Sequence, residues 1–403
     1  MLLVKICPVP VPFVHCASHN LNLVINDSVE ATVTVGGVTF FGTLSEIFNF
    51  FSRSLNRWAE LALTAENVGK LKLKKLCTTR WTSRINAVRA VKNRYIDILK
   101  VLARICLESK DAKERSDART LKHNMEKYDF IVFIIIWERL LLAINSASCA
   151  LQAVEVDLSS ATRLLSMALG ELRYIRASWE SITTASAIAT VWKIPSQFTV
   201  VRKRRTKKLF DELSNDERLQ DPELAFKTQV FLPIIDTALF QLQSRFEGQH
   251  LVSGSFSFLY PKSLLQLSDA DLESAAQKYQ ETYSADIDSD FVAEVCSFRR
   301  EFRGEIEASK TVLDLLKLII SSKIMSSVPE LATACVLFAT IPVTVASAER
   351  SFSKLKLIKT YLRSSISHGL ALLAIENEGA KQLNIDDLLD KFANTKARAA
   401  KLM

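Results

Sequence analysis

The 403 residues, 48% hydrophobic and 24% charged, suffice for a sizeable core of two or three domains, and ten glycines with nine prolines set aside a turn-rich β fold. A formal net charge of +8 favours a polyanionic partner without locating it, because a sum says nothing about clustering. Seven cysteines, odd in number and never in a Cys-x-x-Cys, suit reduced, mostly buried thiols in an intracellular protein.

The opening run from Met1 to Pro12 is too short in apolar residues and too rich in proline for a signal peptide. Residues 13–31 read as a strand end followed by a helix. Cys16 and His19 form a Cys-x-x-His pair, but no second pair follows at finger-like spacing, and His15 and His19 equally suit a helix start. Phe40 to Leu63 has helical spacing, with Thr43 as a cap. Lys70 to Lys75 alternates basic and apolar residues as a half-exposed strand does. In Thr78–Arg84, Arg80 beside Trp81 offers phosphate binding and a stacking surface in one place, or a purely structural pair.

Residues 85–328 are mainly helical in pattern. Ile85–Leu107, Phe130–Leu151 and Leu158–Ile188 repeat apolar residues at spacings of three and four, while Glu108–Lys127 reads as an exposed charged connection. The apolar run Phe130–Trp137 stops at Glu138-Arg139, far short of a membrane span. Arg202, Lys203, Arg204, Arg205, Lys207 and Lys208 make a nuclear-import or nucleic-acid segment, or else a solvated loop. Leu224–Phe246 returns to helix, Gly248–Pro261 is the best linker, and Leu267–Ala285 is a charged helix. Asp286–Asp290 lacks the glycine and the spaced ligands of a calcium loop. Phe291–Arg303 and Val312–Ile324 are further helices.

Leu331–Ala348 is uncharged, but Pro342, three threonines and Ser347 favour a buried element over a span. It runs into a basic stretch at Glu349-Arg350. Glu349 suits a first-turn charge or a metal ligand. Leu355, Ile358 and Leu362 share one helical face. Glu349, Lys356 and Arg363 form a neighbouring stripe with Lys359 close by, fit for a groove holding a phosphate backbone or for plain solvation. Phe338, Phe352, Leu355, Ile358 and Leu362 make an apolar surface that needs a partner, from this chain or a second copy. Leu370–Glu378 and Ile385–Leu402 are helical.

Pro342–Ser364 resembles the C-terminal signature of hAT-superfamily transposases, in particular the transposase-derived proteins with MYM-type zinc fingers. Cys16, His19 and Leu21-Asn22-Leu23 are similar to the family's Cys/Asp-x-x-His motif, and Thr79–Arg84 to its Arg-Trp motif. The likeness spans about Phe13 to Leu389. It implies that Glu349 is the third acid of a DDE metal triad and that Trp81 stabilises an unstacked base. It also implies that the C-terminal region dimerises. The two upstream triad aspartates have no match, since no Asp or Glu stands among the fifteen residues before Cys16.

The resulting expectation is a mainly α protein with an α/β remnant. A truncated RNase H-like core spans 1–84, a helical insertion 85–328, and the last catalytic helix with the dimerisation region 329–403. Its expected function is that of a catalytically inert, transposase-derived, nuclear homodimer that binds DNA, with a cytoplasmic location as the alternative. No metal or cofactor is expected, Mg²⁺ entering only with a completed site. Neither a membrane nor a small-molecule substrate is expected. The competing readings are a fragment of an active transposase and, on Leu331–Ala348 alone, a membrane-associated helical protein.

Overall fold

The computed structural model describes residues 16–31, 40–63, 72–77, 81–151, 158–179, 186–198, 221–341, 346–359 and 368–393. The chain divides into two compact units, Met1–Val343 and Thr344–Met403. The architecture is mostly helical, and among the described residues there is no strand.

In the first part of the larger unit the helices are α1 (Ala17–Glu30), α2 (Phe40–Ser52), α3 (Leu55–Leu63), α4 (Trp81–Asn93), α5 (Tyr95–Glu108), α6 (Ala112–Met125), α7 (Tyr128–Leu151) and α8 (Leu158–Ala177). After α9 (Ser186–Val191) and α10 (Pro222–Phe226), a π-turn over Lys227–Phe231 leads into α11 (Leu232–Ser255). That turn has a local cause. Pro233 donates no N–H and its ring crowds the carbonyl four residues back, so the helix widens just before it.

The organising helix is α7. Ile131, Val132, Ile134, Ile135 and Ile136 circle its whole surface, so it needs cover on every side. It obtains that cover from α1, α4, α6 and α8. By length and composition α7 could cross a membrane, but most of its apolar window is buried in protein. The helix continues past Glu138 to Leu151 as its apolar spacing predicts, and Lys92 of α4 pairs with the Glu138 carboxylate.

Four of these helices close a ring. Both α1 and α8 lie against α7, and both also lie against α11. Helix α1 is therefore a wall of the same bundle as α7, α8 and α11, all within the larger unit. Around the bundle, α2, α3, α5 and α6 form a second layer. Tyr95 opens α5, donates to the Met125 carbonyl and stacks on Trp192 with ring centres 4.0 Å apart. The expected connection Glu108–Lys127 contains α6. Asp111 caps it by accepting from the Lys113 N–H at 2.8 Å, and Ala118, Leu121 and Met125 bury its inner face. A mostly charged sequence concealed three well-spaced core positions.

The remainder of this unit holds α12 (Pro261–Gln266), α13 (Asp269–Thr282), α14 (Phe291–Glu301), α15 (Arg303–Ala308), α16 (Val312–Ser321) and α17 (Pro329–Thr340). The expected linker Gly248–Pro261 is instead the end of α11 followed by a short 3₁₀ turn. Phe256, Phe258 and Leu259 are buried there, so their burial just beyond the exposed Gly248 and Gly254 holds the segment. Phe256 meets Tyr279 at 5.1 Å and Phe338 at 5.5 Å in an aromatic cluster that Phe258 and Phe291 complete. Thr311 and Asp314 form a reciprocal capping box at the start of α16.

Residues 72–77 are irregular rather than the expected strand. The alternation itself is real, with Leu73 buried and Lys72, Lys74 and Lys75 exposed, but no second strand pairs with it among the described residues. Thr43 lies within α2 and is buried, and so does not cap that helix.

The smaller unit comprises α18 (Ala346–Ile358), α19 (His368–Ile375), α20 (Asn377–Ala380) and α21 (Ile385–Ala393). Helix α18 lies on α19, and α19 on α20. Lys354 Nζ donates to the Ile375 carbonyl at 2.6 Å, closing the pair.

Candidate functional site

Two of the sequence motifs meet at a joint between α1 and α4. Arg84, three residues after Trp81, lies on the same stripe of α4 as Val88 and Val91, and that stripe faces the core. The residue is 6% exposed, and its guanidinium sits 5.5 Å from the centre of the Phe41 ring. Nη2 donates to Asn26 Oδ1 on α1 at 2.7 Å, while Nη1 has no hydrogen-bond partner. Burial lowers the pKa of this arginine, as expected when charge is withdrawn from water.

One residue further along α1, Asp27 accepts from Arg245 Nη2 of α11 at 2.7 Å, and Arg245 Nε donates to Gln241 at 3.0 Å. Asn20 Nδ2 reaches the Arg245 carbonyl at 3.4 Å. Asn22 Oδ1 and both amide atoms of Gln249 are buried without hydrogen-bond partners. The helix bearing the Leu-Asn-Leu motif is thus tied by polar bonds to α4 on one side and α11 on the other.

Cys16 precedes α1 as its N-cap residue, is half-buried and makes no side-chain cap bond. His19, in the first turn, is exposed. Among the described residues no group of three or more His, Cys, Asp or Glu side chains converges to hold a metal. Trp81 opens α4, but its side chain and all of Arg80 lie outside the described residues. So do Arg202, Lys203, Arg204, Arg205, Lys207 and Lys208, together with Leu362 and Arg363. Glu349 falls in the first turn of α18, and its side chain is likewise outside them.

Phe338 requires a correction. It is 4% exposed, packed against Phe256 and Tyr260, and α17 belongs to the larger unit. Its ring is satisfied inside the chain and contributes nothing to a dimer face. The larger compact unit ends at Val343. The neighbouring Cys335 thiol is also buried, which pushes its pKa up to about 12 and leaves it a small apolar core residue.

The smaller unit is built differently. Leu355 and Ile358 are half-buried, but Phe352 is 69% exposed, Leu357 81% and Ile385 70%. Leu370, Leu372 and Leu373 on α19, and Leu388 and Leu389 on α21, are exposed as well. Lys356 and Lys359 are exposed on α18. A groove of about 390 Å³ between α8 and α11, lined by Ser166, Leu169, Arg173, Gln243, Glu247 and His250, mixes both signs of charge and is open to solvent.

Sequence reasoning singled out Arg80 and Trp81 and passed over Arg84, Asn26, Asp27 and Arg245. A signal for Arg84 existed, since a cation on an otherwise apolar helical stripe is an anomaly that asks for a partner. No protein-family model matches the chain.

Proposed function

We propose that this chain is a transposase-derived protein of the hAT lineage that self-associates through residues 344–403 and binds nucleic acid in the nucleus without cutting it. The observation that carries self-association is the density of exposed apolar side chains in the smaller unit, from Phe352 through Leu389. Exposed apolar side chains at this density mark an interface, and a homodimer is the commonest way to cover them. The hAT ancestry, the RNase H-like origin of residues 1–84 and the dimerising role of the region rest on the resemblance carried by Pro342–Ser364, Cys16, His19 and Leu21–Leu23.

Sedimentation of the full chain beside a form ending at Val343 tests this reading. The full chain is expected to be a dimer at micromolar concentration and the shortened form a monomer. A monomeric full chain overturns it.

A second reading is that Glu349 belongs to an active site completed by acids of another chain. Its support is the triad match at Glu349, in the first turn of α18.

A further inference from the structure

We infer that the two copies pair crosswise, with α18 of one chain lying on α21 of the other. This rests on the self-association proposed above and adds its geometry.

The two helices are complementary in charge and alike in exposed apolar surface. Helix α18 carries Arg350, Lys354, Lys356 and Lys359 in or just beyond its span, against Glu349 as its one acid. Leu355 and Ile358 are half-buried, and the Lys354 bond to Ile375 turns the adjoining side toward α19. At about 100° per residue, Phe352, Lys356 and Lys359 fall together on the flank beyond, and all three are exposed. One aromatic ring thus shares a stripe with two cations.

Helix α21 has the opposite character. Ile385, Leu388 and Leu389, at i, i+3 and i+4, form an exposed apolar stripe, with Asp386 and Asp390 along one edge and Lys391 at the other. Asn384 caps the helix by accepting from the Asp386 N–H at 3.1 Å. Among the described residues no helix of its own unit packs closely on it. A nine-residue helix is marginal alone in water, so it needs a cover for its apolar stripe.

Like-on-like pairing is disfavoured on either side. Setting α18 on α18 opposes lysines, and setting α21 on α21 opposes aspartates. Crosswise pairing opposes Lys356 and Lys359 to Asp386 and Asp390, and a two-fold axis repeats the contact. Phe352 then lies where Leu388 and Leu389 can cover it. This assigns Lys356 and Lys359 to a second chain in place of a phosphate backbone.

A charge exchange tests the pairing in the full chain. One variant carries Lys356→Glu and Lys359→Glu, and another Asp386→Lys and Asp390→Lys. Each alone should self-associate at least about tenfold more weakly than the parent, since both symmetric contacts become repulsive. An equimolar mixture should recover the parent affinity as a heterodimer, which also shows that each variant folds. The variant with all four changes should dimerise by itself.

Single-helix variants that dimerise like a dimeric parent would overturn crosswise pairing while leaving self-association intact. So would a mixture that fails to recover. A parent that is itself monomeric removes the premise and the pairing together. Association of the parent only when a DNA duplex is added would return the two lysines to nucleic acid and overturn the inference.

Discussion

Arg84 Nη2 lies 2.7 Å from Asn26 Oδ1, and this bond across 58 positions joins the helix of the Arg-Trp motif to the helix of the Leu-Asn-Leu motif. The guanidinium is largely buried while Nη1 goes without a partner. The charge is therefore costly where it sits, and its long aliphatic stem supplies the packing. Arg84→Met should leave stability unchanged or raise it by up to about 1 kcal/mol, because it keeps the stem and removes the incompletely paired charge. Arg84→Ala should lose about 2 kcal/mol through the space left behind. All five tryptophans lie before Val343, so fluorescence during urea unfolding reports on the larger unit. A strongly destabilised Met variant would show that the bond to Asn26 outweighs the cost of burial.

Glu294 of α14 caps α17 by accepting from the Leu331 N–H at 2.9 Å. Burial first, and then the nearby Glu330 and Asp290 carboxylates, raise its pKa against the pull of the Leu331 and Glu330 N–H groups. The folded protein thus holds this proton more readily than the unfolded chain does. Its contribution to stability grows as pH falls from neutrality through the raised value, and is complete below the ordinary glutamate pKa of about 4.3. Glu294→Gln keeps an acceptor and should remove this part of the pH dependence without lowering stability at pH 7. Glu294→Ala should lose about 1 kcal/mol. Thermal unfolding of the three proteins between pH 4 and 7 distinguishes them.

For nucleic acid, weak binding with little sequence preference is expected, led by Arg202, Lys203, Arg204, Arg205, Lys207 and Lys208. Each phosphate neutralised on duplex DNA contributes about −0.9 to the slope of log affinity against log salt, so binding should fall steeply between low and physiological salt. Replacing the six basic residues by glutamine should flatten that slope. Affinity indifferent to salt would defeat the electrostatic account.

For catalysis, no nicking or strand transfer by the chain with magnesium or manganese is expected. Phosphodiester transfer of this type needs two or three carboxylates around paired cations, and the proposed resemblance supplies Glu349 alone. Glu349→Ala should therefore change nothing in a cleavage assay. Reproducible cleavage abolished by that substitution would favour the second reading.

Sequence by itself determined the helical class and most of the helices, because apolar spacing at three and four residues is local information. Helices α7, α13, α14 and α16 stand close to where that spacing put them, while the expected helix Leu158–Ile188 ends at Ala177 as α8. It also marked residues 331 onward as carrying more apolar surface than one short element buries alone. Tertiary structure decided the rest. Gly248 and Gly254 look like linker residues until Phe256, Phe258 and Leu259 are seen buried just beyond them. The charges of α6 mask three buried positions whose value depends on what faces them. Phe338 and Phe352 are equally apolar in sequence, yet one is enclosed by Phe256 and Tyr260 while the other stands in solvent. Arg84 found Asn26 only because α1, α7, α8 and α11 close a ring that sets α1 beside α4. Periodicity fixes which face of a helix is apolar, but only the packing of distant segments fixes what that face meets.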